Sequence, residues 1–180
     1  MTCAKNRVSL KVQVHPVVYD FYISRYGETF DVDDDDMIAL ILPHILQLRP
    51  KDYKPTYYAG YKCLDIVLHD FAFGHEGDAS GKIIIENRNH LPDNHQYYIS
   101  RFLDKIFKNI YHNYMLAYCR SNKEAIQKEG IYDFCMVYRI GQNKLNFDML
   151  RKSWDRSNLK RDWRGLPPKQ KIKRAKKNEK

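Results

Sequence analysis

Cysteine is scarce and unpatterned in this 180-residue chain. Cys3, Cys63, Cys119 and Cys135 form no CxxC pair, and no Cys/His spacing matches a zinc site. That sets aside a disulfide scaffold and a zinc finger, and suits a reduced, cytoplasmic protein with idle thiols. Long hydrophobic runs are also lacking. The longest aliphatic stretch, MIALIL, stops at Pro43, far short of a membrane span. The opening MTCAKNRVSLKVQV has no apolar h-region, so no secretory signal is expected. P-loop, GxGxxG, GxSxG and HExxH motifs are missing, and no internal repeat is visible. No cofactor, metal ligand or catalytic residue is assigned on this basis.

What the chain does have is positive charge in one place. The formal net charge is +9. Residues 157–180 carry ten Lys/Arg against two acids, a net of +8, so the first 156 residues are nearly neutral. A segment with so few apolar groups cannot offset its ordering entropy, and the expectation is a disordered basic arm over 159–180.

Ahead of that arm, hydrophobic periodicity lays out the elements. Val8–Val14 alternates with period two and reads as a strand. Pro16 opens a helix carrying Val17, Val18, Phe21, Tyr22 and Tyr26, and Gly27 ends it. After the acidic run DVDDDD, the residues Met37, Leu40, Ile41, His44, Ile45 and Leu48 predict a helix kinked at Pro43. Residues 49–60 read as a loop, 61–73 as a strand covered on both faces, and 82–86 as its hairpin partner. The longest helix is predicted over 94–118, with Ile99, Phe102, Leu103, Ile106, Phe107, Ile110 and Tyr114 inward. A short helix at SNKEAIQKE, a helix over 131–138, a turn at RIGQNKL and a last helix from Asn146 to Ser157 complete the chain. The expected fold is α+β and mostly helical, with a small antiparallel sheet on a long helix. It divides into an α+β part over 1–90, a helical part over 91–158, and the arm.

The stretch GIYDFCMVYRIGQNKLNFDMLRKSWDR, residues 130–156, carries the main functional question. A helix-turn-helix needs a small residue in its first helix, apolar locking residues, a turn and a polar second helix. Cys135 suits the first role. Phe134, Tyr138, Ile140, Leu145, Leu150 and Trp154 suit the lock, Gly141 the turn and Asn146 the cap. An ordinary helical hairpin packed on the long helix fits the same pattern. The N-terminal strand and helix also have the order of a ribbon-helix-helix, with Ser9, Lys11 and Gln13 facing the groove. That alternative would require a homodimer, and an edge strand of an α+β sheet competes with it.

Two clusters invite a metal-site reading. DVDDDD lacks the spacing, central glycine and closing glutamate of an EF-hand loop, which favours helix capping. His69, Asp70, His75, Glu76 and Asp78, with Asp65, Glu86 and Arg88, faintly resemble the set of a metal-dependent nuclease.

The segments IYDFCMVYRIG and NFDMLRKSWDR resemble the C-terminal unit of uncharacterised small proteins encoded by phages and mobile elements of gut bacteria. The opening VSLKVQVHPVVYDFYISRYG is similar to their N-terminal part. The resemblance covers the two ends better than the middle. It implies a mobile-element context and association with DNA, and it carries no catalytic residue.

The expectation is therefore a non-enzymatic nucleic-acid-binding protein, DNA ahead of RNA, with no membrane partner. It would be an accessory or regulatory factor of a phage or mobile element. The residues assigned to binding are Arg151, Lys152 and Arg156 on the last helix, then Lys160, Arg161, Arg164, Lys169, Lys171, Lys173, Arg174, Lys176 and Lys177. A structural or assembly protein with a nucleic-acid-binding arm is the alternative, and a metal-dependent nuclease the third reading.

Overall fold

A computed structural model describes residues 7–32, 38, 41–42, 45–69, 90–121 and 127–164. Strand β1 (Arg7–Val14) alternates as its sequence requires. Leu10, Val12 and Val14 are buried, and Ser9, Lys11 and Gln13 lie on the opposite face. Helix α1 (Pro16–Tyr26) follows, with Pro16 in its first turn and Val17, Val18, Phe21 and Tyr22 buried. Its N-cap is His15, whose side chain accepts a 3.3 Å hydrogen bond from the Val17 amide. Gly27 ends it at φ 90°, a conformation that glycine adopts without a Cβ penalty.

Strand β2 (Thr29–Asp31) and strand β3 (Lys62–His69) complete a three-stranded sheet in the order β1–β3–β2. β1 runs antiparallel to β3, with Leu10 opposite Ile66 and Lys11 opposite Asp65. β2 runs parallel to β3, with Phe30 opposite Ile66. The sheet is therefore mixed, where a wholly antiparallel one was expected. Three residues are too few to show a period, and their partners lie 36 positions downstream, so β2 leaves no local trace in sequence. As the central strand, β3 buries Leu64, Ile66 and Leu68 on one face and Val67 on the other. The hairpin partner expected at 82–86, and the end of the strand at 70–73, lie outside the described residues.

Between β2 and β3, Ile38, Ile41, Leu42 and Ile45 are helical. The buried row is Ile38, Leu42 and Leu46, one position off the expected stripe; Ile41 and Leu48 are exposed. The chain is then pinned where Gln47 and His90 exchange backbone hydrogen bonds of 2.8 and 2.9 Å.

Helix α2 (Asp93–Ser121) is the longest element, about 40 Å at 1.5 Å per residue. Its innermost residues are Ile99, Leu103, Phe107, Tyr111, Met115 and Cys119, one strict i+4 row. Phe102, Ile110 and Tyr114 flank that row and are only partly buried. Helix α3 (Gln127–Val137) runs unbroken through Gly130, where sequence reading placed a boundary. Gly130 is buried against α2. A Cβ there would sit 2.8 Å from the Tyr118 ring and 3.1 Å from Met115 Cε, so glycine is what allows the two helices to approach. Helix α4 (Lys144–Arg156) buries Asn146, Leu150 and Trp154. Helix α5 (Asn158–Trp163) closes the described chain. One hydrophobic cluster, from Leu10 to Trp154, takes in the sheet and all of α1 to α4.

The thiols follow from this packing. Cys119 and Cys135 are buried, and burial pushes the Cys135 thiol up to about 11. Neither is poised to react.

Phe107 has no exposed surface, whereas Ile106 beside it is half-buried. Phe107→Ala is expected to destabilise by about 3–5 kcal/mol, and Ile106→Ala by less than about 2 kcal/mol. Denaturant unfolding reads both, and equal losses would mean that the buried row is misplaced.

Burial pushes the imidazoles of His15, His90 and His112 below their ordinary value of 6.5. The fold thus favours neutral histidine while the unfolded chain takes up protons more readily. This contribution to stability is full above 6.5 and is lost as pH falls through the lower folded values. Protonation also removes the acceptor with which His15 caps α1. Melting temperature should drop between about pH 7.5 and pH 5, and His15→Asn, which caps without titrating, should narrow the drop. An unchanged drop would show that His15 is not among its causes.

Candidate nucleic-acid interface

The α3–α4 connection sets how α4 is presented. Residues 138–143 join the helices, a longer link than the three or four residues of the tightest helix-turn-helix. Arg139 takes the left-handed conformation, φ 48°, and the Ile140 amide donates to Cys135 O at 2.9 Å. Together these make a Schellman-type stop, with Ile140 buried beneath it. The left-handed residue is thus Arg139; Gly141, assigned to the turn from sequence, has no positive φ.

The cap is also displaced. Asn143, not Asn146, is the N-cap of α4, and its Oδ1 accepts from the Asn146 amide at 2.9 Å. Asn146 is buried inside the first turn and donates through Nδ2 to Gly141 O at 2.7 Å. Both asparagines were visible in sequence, but spacing alone does not say which one has the extended backbone. Asp20 of α1 completes the seat, accepting from the Gly141 amide at 3.4 Å and from Lys62 Nζ at 2.8 Å.

α4 then lies against α2. The buried Tyr111 hydroxyl donates to Leu150 O at 3.1 Å, and His112 Nε2 lies 2.9 Å from Ser153 Oγ. Of the residues expected to lock the helix pair, Phe134, Ile140, Leu150 and Trp154 are buried and Tyr138 is partly so. Leu145 is not part of that lock: it is 66% exposed, at the rim of an open groove between α2 and α4.

That groove, about 490 Å³, is lined by Lys108 and His112 of α2 and by Leu145, Asp148, Met149, Lys152, Ser153 and Arg156 of α4. Lys152 and Arg156 are exposed and one helical turn apart, and Lys108 stands across from them. Arg151 is also exposed but is paired with Asp148 at 3.2 Å. Lys108 is paired with Asp104 along α2. His112 is kept neutral by burial, so the positive side of the groove comes from lysine and arginine.

Lys160 has another role than the one assigned to it. It is buried, donating to Gln127 Oε1 at 2.8 Å and forming an ion pair with Asp155. Burial alone would raise the Asp155 carboxyl. Lys160, Gln127 and Arg151 outweigh that and hold it below its usual 3.8. The ammonium therefore ties α5 to α3 and α4 instead of facing solvent. Residues 158–163 accordingly form a helix where the basic arm was expected to have begun. Ser157 caps it by accepting from the Lys160 amide at 3.2 Å, and Leu159 packs on the core. Arg161 lies on this helix and Arg164 is exposed just after it. Lys169, Lys171, Lys173, Arg174, Lys176 and Lys177 lie outside the described residues.

The other sequence candidates are placed as follows. Ser9, Lys11 and Gln13 lie on an edge strand paired within the chain, and Gln13 Oε1 accepts from the Tyr58 amide at 2.6 Å. Asp65 lies on the same face of β3, its Oδ1 buried without a hydrogen-bond partner among the described residues. Asp70, His75, Glu76, Asp78, Glu86 and Arg88, like Asp33–Asp36, lie outside the described residues. Among the described residues no three His, Cys, Asp or Glu side chains gather as a metal set, and no helix is long and apolar enough to cross a membrane. No protein-family model, curated protein or solved structure matches the chain.

The Lys160 geometry separates structure from binding. Lys160→Ala should cost about 1–3 kcal/mol of stability, as loss of a charged, buried hydrogen-bonding group does, while nucleic-acid affinity of the folded protein is unchanged. Unaltered melting with weakened binding would place Lys160 on the surface instead.

Proposed function

We propose that the protein binds duplex DNA without chemistry, as an accessory or regulatory factor of a phage or mobile element acting in the cytoplasm. The observation that carries this reading is the convergence of Lys108, Lys152 and Arg156 on one open groove beside the exposed Arg151. That groove precedes the most basic stretch of an otherwise near-neutral chain. Electrostatics of this kind attract a polyanion and are sequence-independent. Sequence is read by side chains at base edges. The exposed face of α4 supplies residues of the right kind, held at a fixed angle by its caps and by its packing on α2. In this reading α3 and α4 act as a helix-turn-helix with a lengthened turn, and the C-terminal segment holds the duplex without reading it.

The test compares two variants on a selected site and on scrambled DNA over a range of salt. The first ends the chain at Arg164, which spares α5. It should weaken binding to both DNAs alike and lower the slope of log affinity against log salt by about 0.9 for each phosphate contact removed. The second, Lys152→Ala with Arg156→Ala, should reduce the preference for the selected site by roughly 1–3 kcal/mol for each base pair read. Equal weakening on both DNAs would reduce α4 to a phosphate contact. That result, together with DNA-dependent assembly, would favour a structural protein with a nucleic-acid-binding arm. No effect from the second variant would remove α4 from the interface.

A further inference from the structure

The loop ahead of β3 has an unusual composition for a connecting segment. Residues 49–61, RPKDYKPTYYAGY, contain four tyrosines and three Lys/Arg against a single acid. Three of the tyrosines are turned outward: Tyr57 is 63% exposed, Tyr58 60% and Tyr61 51%. Isolated exposed aromatics are ordinary, but three on one short loop form a patch that calls for a partner.

The loop is also held in place. Gln13 of β1 grips it from both sides of its amide, donating to Thr56 O and accepting from the Tyr58 amide. Asp93, at the start of α2, accepts from the Tyr53 hydroxyl at 2.8 Å and from Thr56 Oγ1 at 3.4 Å. Burial and that carboxylate push the Tyr53 phenol up to about 12, so it remains a donor. Gly60, at φ 81°, turns the chain, and the Tyr61 amide closes the turn on Tyr58 O at 3.2 Å. The Tyr58 and Tyr61 rings meet edge to face, 6.3 Å apart. These contacts fix the backbone of the loop while leaving ring faces open, which lowers the ordering cost of any partner that stacks on them.

Beside Tyr57 lies a pocket of about 280 Å³ between the loop and the outer face of β1 and β3. Its lining includes the apolar Leu10, Pro55 and Leu91; Lys11 and Arg49 bring positive charge to it, and Ser9 and Gln96 bring hydrogen-bonding groups. Lys54 is exposed on the loop itself. Exposed aromatic faces, cations on the same loop and beside its pocket, and one small pocket with mixed apolar and polar lining match a chain of unstacked bases joined by phosphates. A duplex hides its base faces, so it would leave the tyrosines unused.

We infer that Tyr57, Tyr58 and Tyr61, with Lys11, Arg49 and Lys54, form a stacking site for single-stranded DNA, separate from the α4 groove. The inference rests on the reading of the protein as a DNA binder and adds the strand state that this second surface takes. Tyr57 stacks one base at the mouth of the pocket, Tyr58 and Tyr61 stack its neighbours, and the cations follow the backbone.

The experiment measures binding of the full chain to a single strand of about 12 nucleotides, to its duplex, and to RNA of the same sequence. Tyr57→Ala/Tyr58→Ala/Tyr61→Ala should weaken the single strand at least about 30-fold, since stacking of each base contributes severalfold or more. Duplex affinity should stay within about twofold. Tyr57→Phe/Tyr58→Phe/Tyr61→Phe keeps the ring faces and should bind as the parent does. A loss of less than about threefold on the single strand, an equal loss on the duplex, or failure of the phenylalanine variant would overturn the stacking site. Tighter tyrosine-dependent binding of RNA would overturn DNA as its occupant. The α4 reading fails separately: duplex binding that ignores Lys152 and Arg156 sinks it while tyrosine-dependent binding of single strands stands. Duplex binding with no binding of single strands does the reverse.

Discussion

Phe134 is the interaction on which the described structure turns. Its ring meets Tyr138 at 4.7 Å, Tyr111 at 4.8 Å, Tyr114 at 5.2 Å, Phe107 at 6.1 Å and Phe21 at 6.5 Å. Those rings belong to α1, α2 and the start of the α3–α4 link, so one side chain of α3 joins the N-terminal layer to the helical layer. Most of these contacts are edge-to-face or tilted, the geometry that the ring quadrupole favours. Gly130 leaves room for the Tyr118 ring and Met115 where α3 meets α2. From there the consequences run in sequence. α3 ends at Arg139 and Ile140, Asn143 starts α4, Asn146 locks the first turn, and Tyr111 holds the middle through Leu150. The direction in which Lys152 and Arg156 point is the last link in that chain.

Much of this framework was legible from hydrophobic period alone. β1, α1, α2 and α4 each bury one clear face, and period is what sequence records best. What stayed hidden depended on partners distant in sequence. β2 exists because β3 offers it an edge. Gly130 looked like a break because glycine disfavours helices, whereas close packing on Tyr118 outweighs that preference here. Lys160 looked like one cation among ten, and only the positions of Gln127 and Asp155 make it internal. At the candidate site, Arg151, Lys152 and Arg156 could be placed on an exposed face from spacing, but the contribution of Lys108 could not. The exposed tyrosines of residues 57–61 carry no periodic signal, because a proline-bounded loop has no period. The density of tyrosine and lysine in that stretch was the available signal.

Both proposed surfaces lie along α2. Asp93 at its start anchors the tyrosine loop, and Tyr111 and His112 meet α4 about eighteen residues later. At 1.5 Å per residue these anchor points are roughly 27 Å apart, about eight base-pair steps of a duplex. The helix thus sets the spacing between the tyrosine loop proposed for base faces and the α4 face proposed for duplex DNA.

In the proposed reading α4 presents a DNA-binding face on a scaffold fixed by the ring cluster. Amide chemical-shift mapping of the full chain, titrated with a short duplex, tests it most directly. Shifts are expected to concentrate at the exposed positions of α4 from Leu145 to Arg156, at Lys108 and in the C-terminal basic segment, with the amides around Phe134 and Phe107 unmoved. Shifts confined to the C-terminal segment, with α4 silent, would contradict it.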